Sequence, residues 1–78
     1  MIEVEIKLGS EWSAVKTEMF FKLLKDKNPN MIIMKGNEGT VVTEKGDTVF
    51  RTTTDGEDPV TWLRKTTNLN VCDCNALH

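Results

Sequence analysis

The chain has 78 residues, and its ten Lys and Arg against twelve Asp and Glu leave a formal net charge of −2. A domain of this length removes only about 60–65% of its unfolded surface from water, so nearly every large apolar side chain is needed inside and an elaborate catalytic pocket is hard to accommodate. The interspersed charge offers neither the basic field of a typical nucleic-acid binder nor the carboxylate array of a DNA mimic.

Ile2, Val4, Ile6 and Leu8 alternate with Glu3, Glu5 and Lys7, which predicts a half-buried strand and a candidate sheet edge for homodimerisation. Gly9-Ser10 interrupts it. From Glu11 to Lys27 the apolar residues Trp12, Val15, Met19 and Leu23 recur at spacings of three and four. That spacing predicts one long helix, with Ser10 as N-cap and Asn28-Pro29 as its stop. Phe20 and Leu24 widen the stripe on one flank, and Phe21 lies nearly opposite its centre.

Met31 to Met34 is a continuous apolar run, the pattern of a centrally placed strand. Gly36 to Gly39 reads as a turn, Thr40 to Glu44 as a strand, Lys45-Gly46-Asp47 as a hairpin connection and Thr48 to Thr54 as a third strand. Asp58 can cap a short helix from Pro59 or Val60 to Lys65, with Pro59 at its first position. Leu69 to Val71 leaves room for a final strand. The predicted architecture is a single α+β domain over residues 1–74, of order β-α-β-β-β-α plus that final strand. Its antiparallel meander carries one long helix on one sheet face, and residues 75–78 form a frayed tail.

Chemistry-bearing groupings are few. Cys72, Cys74 and His78 are the one cluster that resembles a metal or redox site, but structural zinc sites usually draw on two separated ligand pairs. Reduced, free thiols are the plainer reading. No paired-carboxylate motif, phosphate-cradling glycine loop or HExxH segment is present, and the lone His78 has nothing to hold it as a general base. A Thr-rich sheet face with Lys35, Lys45, Arg51 and Arg64 could meet nucleic-acid phosphates, although aromatics for base stacking are scarce. On the predicted helix, Phe21 with Lys22 and Lys25, and Trp62 on the second helix, are candidates for a partner-binding surface.

No apolar run approaches the roughly 18 residues of a membrane span, and Met1 leads directly into an alternating strand pattern with no secretory signal. The expectation is therefore a cytoplasmic protein without cofactor, enzymatic activity or membrane partner. It would act as a small protein-binding module, an inhibitor or modulator of a larger macromolecule of the kind phages and mobile elements encode. Nucleic-acid binding is the first alternative, a metal or redox role through Cys72 and Cys74 the second, and homodimerisation through an exposed strand edge is compatible with any of them.

Overall fold

Period-two alternation builds most of this molecule. The computed structural model describes residues 2–74, and their order is β1 (Glu3–Leu8), β2 (Glu11–Val15), α1 (Thr17–Lys27), β3 (Met31–Lys35), β4 (Glu38–Thr43), β5 (Gly46–Thr53), α2 (Pro59–Thr67) and β6 (Val71–Asp73). The strands form one six-stranded sheet in the order β2-β1-β5-β4-β3-β6. All neighbours are antiparallel except β3 and β6, which run parallel. The α+β class and the central meander are as the residue pattern predicts, and a final strand does form, at Val71–Asp73 and not at Leu69 to Val71. The predicted tail at 75–78 lies outside the described residues.

The main correction concerns Glu11 to Lys27. Its first five residues are not helical. They form β2, which pairs with β1 from Leu8↔Glu11 to Val4↔Val15. Gly9 takes φ +66° in the connecting turn, so a two-residue hairpin folds the chain back with the turn geometry that favours Gly first. β1 is therefore an interior strand, and β2 is the edge. Ser10 caps nothing; the helix starts after Lys16, which supplies no side-chain cap. At the other end Asn28 adopts the left-handed conformation and its N–H bonds the Leu24 carbonyl, which closes the helix before Pro29.

Shortening the helix also moves its buried face. Phe20 and Leu24 are the residues it sends fully into the core, whereas Met19, the middle of the predicted stripe, is 58% exposed. Trp12 and Val15 belong to the strand and do not extend that stripe. The β4–β5 connection falls at Glu44-Lys45, one residue earlier than the sequence suggests, with Gly46 opening β5 at φ +129°.

A single core lies between one sheet face and both helices. Val4 and Ile6 of β1, Ile32 and Met34 of β3, Val41, Phe50 and Val71 are buried with Phe20 and Leu24 of α1 and Val60, Trp62 and Leu63 of α2. Phe20 packs on Phe50 with ring centroids 4.8 Å apart. Gly39 makes this possible: it sits in register between Met34 and Phe50, and a Cβ there would fall 2.5 Å from the Met34 sulfur and the Phe50 ring. The missing side chain is the space that these two residues fill. Asp58 caps α2 by accepting from the Thr61 N–H, as the sequence implies. Arg64 then ties that helix to β6 by donating to the Val71 carbonyl. Among the described residues no helix is long and apolar enough to cross a membrane.

Candidate functional site

With both helices on one side, the other face of the sheet carries no layer among the described residues. Alternation decides what it displays: residues that neighbour the core residues along each strand point the opposite way. The pairings align these side chains into rows that run across the strands. One row is Lys35–Glu38–Arg51–Glu5, from β3 through β4 and β5 to β1. Its signs alternate, so each charge has an opposite neighbour, the arrangement that favours cross-strand pairs.

The centre of this row is well ordered by its own bonds. Arg51 Nε donates to Glu5 Oε1 at 2.9 Å, and its Nη2 donates to Oε2 at 3.1 Å. This bidentate hydrogen bonding, aided by the attraction of the guanidinium charge, holds the Glu5 carboxyl below its ordinary pKa. The same guanidinium lies 4.4 Å from the centroid of the Trp12 ring, and Lys7 Nζ lies 6.0 Å from it. Trp12 is thus held on the open face by cation–π contact with Arg51.

Beside the charged row runs an apolar one: Cys72 on β6, Ile33 on β3, Thr40 on β4 and Val49 on β5. Met31 and Val42 pair next to it. All six are partly exposed. None of the described residues forms a layer over them.

The residues singled out from sequence fall in several places. Phe21 and Trp62 do come together, with ring centroids 5.5 Å apart, but Trp62 is only 6% exposed and Phe21 is half-buried against it. That pair cements α1 to α2. Lys22 and Lys25 are exposed on opposite flanks of α1, the first beside β1 and β2 and the second beside α2. Of the cations considered for nucleic acid, Lys35 and Arg51 share the open face, Lys45 is in the β4–β5 turn, and Arg64 is on the helical layer bonded to Val71. The four do not form one patch. The threonines are likewise divided: Thr40 and Thr53 face outward, while Thr52 is buried and bonds the Asn37 carbonyl.

Cys72 and Cys74 are free and partly buried. His78 lies outside the described residues, among which no group of three His, Cys, Asp or Glu side chains converges. The feature that the sequence reading missed is the Trp12–Arg51–Glu5 cluster. Its signal was available in Gly9-Ser10, because a Gly-initiated two-residue turn after an alternating strand implies a returning strand and hence a Trp on the sheet.

No family model, no curated protein and no solved structure matches this chain.

Proposed function

We propose that this chain is a non-enzymatic protein-binding module that docks through the open face of its sheet. The observation that carries the reading is the uncovered apolar row Cys72–Ile33–Thr40–Val49, with Met31 and Val42, lying beside the braced Trp12–Arg51–Glu5 cluster. Tryptophan and arginine are the side chains most often responsible for binding energy at protein interfaces, and a prearranged pair loses little freedom when a partner lands. The charges on this face nearly balance: Glu3, Glu5, Glu38 and Asp47 accompany Lys7, Lys35 and Arg51. Such a surface complements another protein with a flat, mixed-charge, partly apolar face better than it complements a polyanion. A small inhibitor or modulator that caps a larger protein would use its one open face in this way.

The test is capture of a partner from the native host extract by the wild-type chain, Ile33→Lys and a control, Lys65→Glu on α2. Ile33→Lys is expected to weaken capture by about thirtyfold, the effect of removing an interface residue worth about 2 kcal/mol. It should cost only about 1 kcal/mol of fold stability, since the site is an outward strand position. Lys65→Glu should capture as the wild type does. Undiminished capture by Ile33→Lys would overturn the assignment of this face.

A further inference from the structure

We infer that β2 is the two-fold interface through which two copies of this chain join into one continuous twelve-stranded sheet. Among the described residues the strand pairs with β1 alone. Because Leu8 and Glu11 flank a two-residue turn, they exchange backbone hydrogen bonds, and the alternation gives Ser13 and Val15 to β1 in the same way. The N–H and C=O groups of Trp12 and Ala14 consequently point to the free side. Natural sheets usually protect such an edge with proline, a bulge or a lysine within the strand. Here the pairing is continuous over Glu11–Val15 without proline or bulge, and the charges of this edge, Glu11 and Lys16, stand at its two ends and leave Trp12 to Val15 uncharged between them.

Self-pairing fits the side chains. An antiparallel arrangement about Ala14 places that small, exposed residue on the two-fold axis against its own image. It sets Trp12 opposite Lys16 of the second copy, whose backbone is still extended before the helix begins. Glu11 then lies opposite Thr17 of the second copy, with Lys16 on the other face of the sheet, so no like charges are set against each other across the seam.

The helical side argues for a whole second copy over an isolated foreign strand. Ile6, Val15, Met19 and Leu23, with Lys22, Asp26 and Lys27, border an open apolar groove between α1 and β2. Among the described residues Met19 and Leu8 are the two large apolar side chains left most exposed, at 58% and 64%, and both lie on the helix-bearing side. An added strand would satisfy the backbone edge but leave this groove uncovered. A second copy brings its own α1. With α1 packed closest to β1, the two helices would stand three strand spacings apart, about 14 Å. That is a few ångströms beyond ordinary helix contact, a gap that Met19 and Leu23 reaching from both sides would close. Lys22, Asp26 and Lys27 give each groove both signs of charge, with one positive charge in excess.

Analytical ultracentrifugation over a range of concentrations tests the inference. The wild-type chain should sediment as a dimer that dissociates on dilution. Ala14→Lys sets two like charges across the axis and should lose the dimer, and so should Ala14→Glu. An equimolar mixture of these two variants should regain it, which identifies the axis as no single loss can. Both substitutions are at an exposed position, and circular dichroism with an unchanged melt of the monomer checks that they fold. Met19→Lys should also lose the dimer, while Ile33→Lys on the open face should keep it. A wild-type chain that stays monomeric up to about 1 mM overturns the inference. So does a dimer that survives Ala14→Lys, or a mixture that fails to reassociate.

Discussion

Phe21 shows how much one side chain's position depends on its neighbours. It lies nearly opposite the centre of the stripe expected from the sequence, which leaves it free for either a partner or the second helix. In the fold the buried stripe has moved to Phe20 and Leu24, so Phe21 is on its flank, where it meets Trp62. Phe21→Ala should therefore destabilise the domain by about 2–3 kcal/mol, somewhat less than the loss typical of a fully buried phenylalanine. A urea denaturation series measures this directly; a variant as stable as wild type would mean that the α1–α2 contact contributes nothing.

Glu5 offers a second residue-scale test. Its carboxyl, ordinarily near 4.5, is held lower in the folded chain by the Arg51 hydrogen bonds. A depressed folded value means that the ionised carboxylate contributes stability above the ordinary value, and that this contribution is lost as acid protonates the group. The stability gap between wild type and Glu5→Gln should accordingly be widest near neutral pH and narrow below pH 4.5. Because both side chains are substantially exposed, the gap should be small and should shrink in high salt. Denaturant melts of the two proteins at several pH values check the sign; a gap that widens in acid contradicts it.

At the scale of elements, the meander and α2 were legible because several local signals agree there: β-branched runs, glycine turns, and an Asp-Pro helix start. The segment after Gly9 was not, because two patterns compete in it. Trp12, Val15, Met19 and Leu23 match helical spacing, yet Trp12 and Val15 are on opposite faces of a strand and owe their burial to different surroundings. The turn decides the contest. Gly9 at φ +66° folds β2 onto β1, and β1 supplies a ladder that an isolated five-residue strand lacks. Gly9→Ala should thus cost about 1–2 kcal/mol through left-handed strain alone, since a side chain there would meet no atom within 4 Å. If Glu11 to Val15 were helical, the same change would be close to neutral. A comparison of melting curves for Gly9→Ala and wild type separates the two.

For the whole molecule, the sequence implied a sheet with helices on it but not that both helices share one side. Nor did it show that the sixth strand joins parallel to β3. Val71 to Asp73 is too short to carry a pattern; its place is set by tertiary bonds, from Ile32 N–H to the Asn70 carbonyl and from Arg64 to Val71. The open face was legible only in part. Its charges read as an ordinary solvated surface, and only the strand register turns Lys35, Glu38, Arg51 and Glu5 into one row with an apolar row beside it. The one-sided stacking explains the economy of the core, where the twelve buried apolar residues among the described ones serve a single sheet face.

The claim that this uncovered face is the binding surface is tested most directly by site-specific photocrosslinking. A photoreactive side chain at Thr40, in the middle of the apolar row, is compared with one at Lys65 on the helical layer. The account predicts a discrete heteromeric adduct from Thr40 that disappears when Ile33→Lys is added, and none from Lys65. An adduct from Lys65 with none from Thr40 would contradict it.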